Sequence, residues 1–532
     1  MKKNMLKSLL VSTALLGLLA GCGNSAKTEE GTGSGDGPRE LSIIITKHGL
    51  TKPNKEIEWL TKLEKDLNLK IKWEEVSADW EQKKAPMLAS GDIPDLILGP
   101  NAVSDSEFTK FKGLFEDLSD DLDRLPNVQK MFEEQPLTKS LATQLDGKMY
   151  GLPKYQRFWP KSATRQYVNQ TWLDNLGLEQ PTTWDELFDV LVAFKEEDAN
   201  GNGDATDEIP IDWSPVGTGG FGYFQPMQLL ASTGMVVSEG GNTGYFAEDA
   251  KVGNFFVDER YKETVEFLNK CWEAGVVNPK AFSQDYSAYQ STGRGEGDLA
   301  KVGFTWGWEA SDRFGSKIHD QYVSLAPLKQ NESSQPSWSY EMSLNYGVNF
   351  AVLSAQSNNK EAALEFINAL YDPETSLQGL FGSIGPNIEK SGETYKILPP
   401  IDENVDPGTW KWTSTWADNT PMFISDTLDV ELGEDMKANV GQTEVLLPYV
   451  DAIVPEKEVV PWNMLKFSDE DSTTLSNNNT TIMNEAMTKF AKWVTKGGID
   501  KEWDAYVKTL ENSGLEQNIE IVQRGFENFY SE

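Results

Sequence analysis

The chain has 532 residues, 39% of them hydrophobic, 11% aromatic and 25% charged. This is globular composition, which excludes disorder, collagen-like repeats and a polytopic membrane protein, and the length calls for more than one hydrophobic core. Lys and Arg total 48 against 83 Asp and Glu, a formal charge of −35, the wrong sign for neutralising a nucleic-acid backbone. Two histidines, His48 and His319, leave little for imidazole catalysis or zinc sites.

Lys2, Lys3 and Lys7 precede an apolar run from Leu9 to Ala20, too short for an ordinary membrane span and suited to an export signal over residues 1–21. The run ends in Leu19-Ala20-Gly21-Cys22, which resembles a bacterial lipobox. The expectation is a Cys22 thiol carrying a lipid on the extracellular face of the cell membrane, in the Gram-positive manner. The alternative is a cysteine that happens to follow an ordinary signal. Residues 1–21 hold three lysines and no acid, so the remainder carries −38 and is expected to be monomeric. Cys271 is then the remaining thiol, expected in the core, and no intrachain disulfide is possible. Residues 22–40 read as a lipidated flexible linker; the 18 residues of Gly23–Glu40 reach roughly 20–25 Å as a coil.

A β-branched run, Leu41 to Thr46, opens the globular part, and Ile57, Leu60 and Leu63 then repeat at helical spacing. Ile71, Trp73 and Val76 frame a second strand, a helix over 79–90 stops at Gly91, and Pro94 to Leu98 is a third strand. Strand–helix alternation predicts a parallel α/β sheet, whose ligands sit beyond the carboxyl ends of strands. That points to Lys47-His48, Ser77 to Trp80 and Gly99-Pro-Asn101. Ala163 to Val168 predicts another strand, Asn169 to Leu176 a helix, and Thr183-Trp-Asp-Glu186 the capping-box start of a helix ending near Lys195. Residues 213–222 and 330–338 read as loops. Tyr346 to Ser354 is extended, Lys360 to Tyr371 is an amphipathic helix, and 480–495 and 502–530 are helical with aromatic residues on one face.

Ala89-Ser-Gly-Asp-Ile-Pro-Asp95, Tyr150-Gly-Leu-Pro153, Tyr167-Val-Asn-Gln-Thr-Trp-Leu173 with Leu176-Gly-Leu178, Pro181-Thr-Thr-Trp-Asp-Glu-Leu187 and Trp503-Asp-Ala-Tyr-Val-Lys-Thr-Leu510 stand in that order. Together they resemble the extracellular solute-binding lipoproteins of bacterial ABC importers, specifically the long carbohydrate-binding type that includes alginate-oligosaccharide binders. The resemblance implies a two-lobed, periplasmic-binding-protein-like α/β fold of class II, with hinge strands and a helical C-terminal region. The expected lobes are 41–168 plus about 345–400, and 169–344 plus about 401–532, with crossings near Arg165–Asn169 and Asn345–Ala351. The implied partners are an oligosaccharide ligand and the importer's permease subunits.

Asp198, Asn200, Asn202 and Asp204 occupy positions one, three, five and seven of a loop with Gly203 at six, a spacing of hard oxygen ligands suited to calcium. Position twelve is Ile209 where an EF-hand carries Glu, so the loop is not an EF-hand. It resembles instead the calcium loop of the carbohydrate-binding family, whose closing Asp-Glu pair comes one residue earlier than Asp207 and Glu208 do here. A structural Ca2+ held by Asp198, Asn200, Asn202, Asp204, Asp207 and Glu208 is expected; a solvated Asn-Gly turn is the alternative.

Seventeen tryptophans is a high count, and several stand in polar or Gly-rich contexts. Sugars stack C–H faces on aromatic rings and need paired donors and acceptors for their hydroxyls. The candidate ligand contacts are Trp80, Asn101, Arg157, Trp159, Trp213, Trp306, Trp308, Glu309, Trp410, Trp412 and Trp416, with packing as the alternative for each indole. Trp306-Gly307-Trp308 is preferred, since ligand-contacting tryptophans lie there in the carbohydrate-binding relatives. Arg157, Lys154 and Lys161 raise a uronate ligand as a variant. A secreted glycoside hydrolase, or a same-fold receptor for a peptide or other small solute, is the alternative function. No catalytic motif marks an enzyme: there is no G-x-S-x-G, H-E-x-x-H or phosphate loop.

Overall fold

The computed structural model describes residues 37–217, 219–401 and 407–531. The signal segment, Cys22 and most of the linker lie outside the described residues. Among the described residues no helix is long and apolar enough to cross a membrane.

Nine strands build the two principal sheets: β1 (Arg39–Thr46), β2 (Leu69–Val76), β3 (Leu96–Leu98), β4 (Gly151–Tyr155), β5 (Arg165–Asn169), β6 (Ile209–Ile211), β7 (Val302–Gly307), β8 (Tyr322–Ser324) and β9 (Tyr346–Leu353). The first sheet has the order β2-β1-β3-β9-β4 and the second β8-β5-β7-β6. In the first, β1 pairs in parallel with β2 and β3, while β9 runs antiparallel to β3 and β4. In the second, β5 is antiparallel to β7 and β8, and β6 is parallel to β7.

Each sheet has its own core, which makes the α/β architecture two-lobed. Ile43, Ile45, Leu96, Leu98, Ala351 and Leu353 form the centre of the first, covered by Trp59 and Leu60 from helix Glu58–Asp66. Tyr167, Phe194, Phe304, Trp306, Phe490 and Trp493 belong to the second. Cys271 is buried there, and burial pushes its thiol up to about 12.

Local signals explain several boundaries. Gly91 caps helix Trp80–Ser90 at φ +72°, where glycine has no Cβ penalty. Asn169 accepts from the Trp172 amide at the start of helix Gln170–Leu176. Thr183 accepts from the Glu186 amide at 3.2 Å, but the Glu186 carboxylate turns to the amide and hydroxyl of Thr182, one residue before the cap. The C-terminal region consists of helices Asp469–Lys496, Ile499–Asn512 and Leu515–Ser531. The first begins well before residue 480, with Ser468 accepting from the Asp471 amide at 3.1 Å.

Two expectations about chain crossing are corrected. Arg165–Asn169 is not a crossing, because it is hydrogen-bonded within the second sheet; the chain passes from β4 to β5 through residues 156–164. It returns from β8 to β9 through residues 325–345, beside the first passage: Glu341 N–H donates to Lys161 O at 2.7 Å and Gln156 N–H to Asn345 O at 3.0 Å. The stretch after 401 does not pack wholly with the second lobe. Trp416 and Phe423 enter the first core, and Asp429–Glu431 completes a small sheet with Ile388–Ser391 and Thr394–Ile397. The third passage therefore comes after Val440, which packs in the cluster over that small sheet, and before Leu446, which packs with Ala231 and Trp338.

Candidate functional site

At the first sheet, β1, β2 and β3 deliver their carboxyl ends to one edge, with Thr46 opposite Val76 in register. The turn after β3 presses on the end of β1: a Cβ at Gly99, whose φ is +123°, would lie 2.0 Å from Thr46 Oγ1. Asn101 follows, exposed, its N–H donating to Val348 O at 3.0 Å. Trp80 is half-buried beside it, with Nε1 donating to Ala102 O at 3.0 Å. Two predicted contacts, Trp80 and Asn101, are thus brought to one edge.

The segment around Trp412 covers the loop after β1. The His48 ring lies 4.8 Å from the Trp412 ring, and Thr51 Oγ1 donates to Trp412 O at 2.8 Å. Lys411 sits 3.9 Å over Trp159 and 4.9 Å from Trp412, with its ammonium 2.9 Å from Asp418 Oδ2. Trp159 Nε1 donates to Asp418 Oδ1 at 2.5 Å, and Lys154 donates to Asp418 O at 3.1 Å. Burial alone would raise the Asp418 carboxyl; the charges of Lys411 and Lys154, with the hydrogen bonds from Lys411 and Trp159, outweigh it and hold the group below its ordinary value. Burial lowers Lys154 in spite of Asp418.

At the second sheet, Trp308 follows β7 and is half-buried. Arg165, itself 1% exposed, donates one terminal nitrogen to Trp308 O and the other to Gly441 O, and its guanidinium stands 5.5 Å from the Trp308 ring. Behind the end of β7, Arg313 stacks 3.6 Å from Tyr289 and lies 3.5 Å from Asp212, which also accepts from Asn278 and Gln284 at 2.9 Å each. A Cβ on Gly293 would fall 1.7 Å from Arg313 Nη1, so that position admits only glycine without moving the stack.

The remaining predicted residues serve elsewhere. Trp416 is fully buried, edge-on to Trp59 and Trp73, with Nε1 donating to Asn54 at 3.0 Å. Trp306 is fully buried edge-on to Phe304 at 5.2 Å, and Trp213 edge-on to Phe282 at 5.9 Å, both in the second core. All three rings are enclosed by core neighbours, and the Nε1 atoms of Trp213 and Trp306 are buried without a partner among the described residues. Trp410 is buried on the same turn as Trp412. Glu309 is occupied as a helix cap, accepting from the amides of Ser311 and Asp312 at 2.9 and 3.2 Å. Arg157 donates to Leu428 O at 2.5 Å and stacks on Phe158, beside the small sheet rather than at either principal edge.

The loop from Asp198 to Glu208 folds on its own oxygens. Asp198 accepts from the amides of Asn202 and Gly203 at 3.0 and 2.8 Å, and the side-chain nitrogens of Asn200 and Asn202 donate to Asp207 at 2.8 and 3.0 Å. Glu208 Oε1 accepts from Asn200 N–H at 3.3 Å; its Oε2 is buried without a partner among the described residues. Burial, with the charges of Asp207 and Asp198, raises the Glu208 carboxyl. Among the described residues no group of three or more His, Cys, Asp or Glu side chains is drawn close enough to hold a metal ion. The donor set is nevertheless all hard oxygen, and the orphaned Glu208 oxygen fits a cation.

The sequence pattern described as bacterial extracellular solute-binding protein matches residues 50–376. The chain belongs to this family. This solute-binding protein is 27% identical over 559 residues to the fructooligosaccharide ABC transporter substrate-binding protein FusA of Streptococcus pneumoniae, covering 99% of this chain and 98% of the relative. An HMO-binding, ABC-transporter-associated solute-binding protein of Bifidobacterium longum infantis is 34% identical with a TM-score of 0.85, covering 93% of this chain and all of the other. FusA in complex with kestose superposes with a TM-score of 0.79 at 26% identity, and a FusA EF-hand mutant in complex with fructo-nystose with 0.79 at 25%; each covers 93% of this chain and 100% of the other. Lipoprotein LipO of Bacillus subtilis is 25% identical over 282 residues, about half of each chain. Family membership makes the chain an extracellular binding protein and not an enzyme.

Arg165, Lys411 and Asp418 lie beside these edges of the solute-binding protein and were not among the candidates of the sequence; the loop of His48 was, but not its contact with Trp412. Lys411 stands inside the segment Trp410 to Trp416 and Asp418 two residues beyond it, so charge within and next to the tryptophans was the available signal. Arg165 carried none, since its partner Gly441 is remote in the chain.

Proposed function

We propose that the protein captures an extracellular oligosaccharide between its lobes and delivers it unaltered to the permease subunits of an ABC importer. The observation that carries this reading is the set of half-buried indoles, Trp80, Trp308 and Trp412, at the carboxyl ends of strands in both sheets. Each lies beside polar groups of the kind that bind sugar hydroxyls: Asn101, Arg165 and His48. The full-length similarity to a fructooligosaccharide-binding protein supports the same ligand class. Contacts made from both lobes at once favour the closed form, so ligand shifts the population toward it.

The lobes in this reading are 41–155 with 346–441, and 165–324 with 446–531, joined by three passages. Cys22 carries the lipid, residues 22–40 tether a monomer to the outer face of the membrane, and the similarity to LipO supports that placement. The loop Asp198, Asn200, Asn202, Asp204, Asp207 and Glu208 would hold a structural Ca2+, a reading supported by the EF-hand named for FusA and by the unpartnered Glu208 oxygen. The ion would supply positive charge among carboxylates that otherwise repel.

Calorimetry with kestose, fructo-nystose, HMO and their component monosaccharides tests the proposal. Saturable binding of an oligosaccharide, with the sugar recovered intact by chromatography, is the expected result; absence of binding, or turnover, would overturn it.

A further inference from the structure

Gln442 is unaccounted for by packing. It follows Gly441, whose carbonyl accepts from Arg165, and precedes Thr443, whose hydroxyl is 3.4 Å from that of Ser324. The residue is therefore tethered on both sides to the second sheet, through β5 and β8, in the third passage between lobes. Its side-chain nitrogen and oxygen are both sealed from solvent, and neither has a hydrogen-bond partner among the described residues. Arg165 Nε is buried and unpartnered as well, while the two terminal nitrogens of that guanidinium are taken by Trp308 O and Gly441 O.

A buried amide lacking both of its hydrogen bonds costs free energy, and folded proteins tolerate it where another molecule completes the bonds. An amide presents a donor and an acceptor side by side. Two neighbouring sugar hydroxyls, each able to donate and to accept, match that pair; a carboxylate would satisfy the donor alone. The three cations raised for a uronate are otherwise engaged: Arg157 with Leu428 O, Lys154 with Asp418 and Lys161 with Asp451 at 2.8 Å.

We propose that Gln442 is a ligand-binding residue that reads two adjacent hydroxyls of a neutral sugar unit lying against Trp308, with Arg165 Nε–H as a further donor. This rests on the oligosaccharide reading above and narrows it to neutral sugars at this point of the cleft.

The test is calorimetry on Gln442→Met, which keeps the length of the side chain without its polar atoms, using kestose, fructo-nystose, HMO and, as the acidic comparison, oligogalacturonate. The expected result is at least tenfold weaker binding of the neutral oligosaccharide that the wild type binds, with the ligand-free melting temperature unchanged or higher. A structural role predicts the reverse, a lower melting temperature at unaltered affinity, and would overturn the proposal. Should Gln442→Met fail to fold, Gln442→Glu, which loses the donor, must show the weakened binding instead. Wild-type preference for oligogalacturonate would sink this inference and leave the capture function standing; wild-type binding of none of the four would sink both.

Discussion

The indole N–H of Trp159 donates to Asp418 at 2.5 Å, and the same carboxylate holds Lys411 at 2.9 Å. One carboxylate thus anchors an aromatic ring and two buried ammonium groups, those of Lys411 and Lys154. Asp418→Ala leaves both cations without their counter-charge and is expected to cost about 3 kcal/mol of stability at pH 7, read from urea unfolding. Because the folded state holds Asp418 below its ordinary value, its contribution is complete above about pH 4 and is lost as pH falls through the lowered value. The gap between wild type and variant should therefore close in acid.

Glu341 behaves in the opposite sense. Burial, against the Ala163 N–H at 2.7 Å and with Glu239 adding like charge, pushes its carboxyl up to about 8. The folded state binds the proton more tightly than the unfolded chain, so stability is complete below about pH 4.5 and declines as pH rises through 8. Glu341→Gln keeps an acceptor for Ala163 and removes the titration. Its melting temperature should exceed that of the wild type by an amount that grows from pH 5 to pH 9; a constant difference would refute the assignment.

The tryptophans divide by burial. Trp308→Ala and Trp412→Ala should each weaken oligosaccharide binding by roughly 1–3 kcal/mol while melting changes little. Trp306→Ala and Trp416→Ala should each cost about 3–5 kcal/mol of stability, because they empty a filled core site. Paired calorimetry and denaturation on the four variants separates the two classes.

Calcium binding to the 198–208 loop should raise the melting temperature over that in chelator. Binding at one hundred times the dissociation constant contributes about 2.7 kcal/mol. Asp198→Ala should abolish the difference between the two conditions, and equal melting of the wild type in both would count against the ion.

Much of this architecture was legible because its signals are local. Alternation and helical spacing mark β1 to β3 and their helices, and Thr183 and Gly91 mark helix ends within a residue. The polar half of helix Asp469–Lys496 hid its start, since Ser, Thr and Asn there carry little apolar periodicity and its partner is a distant one, helix Leu515–Ser531, where Asn518 accepts from Asn478 at 2.9 Å and Arg524 pairs with Asp471 at 2.8 Å. The route of residues 407–441 was illegible for a different reason: Trp416 meets Trp59 and Trp73 across most of the sequence. For the site, alternation could mark Trp306 and Trp308 as a pair but could not tell that Phe304 and the second core enclose one of them and leave the other half-covered.

The first core joins Leu41 and Ile43 to Trp416 and Phe423, so its earliest strand cannot finish packing until about four-fifths of the chain has been synthesised. A polypeptide made from its N-terminus onward thus carries an incomplete leading lobe for most of translation. Completion of that lobe therefore waits on contacts of very large sequence separation, the kind whose loop-closure entropy slows folding.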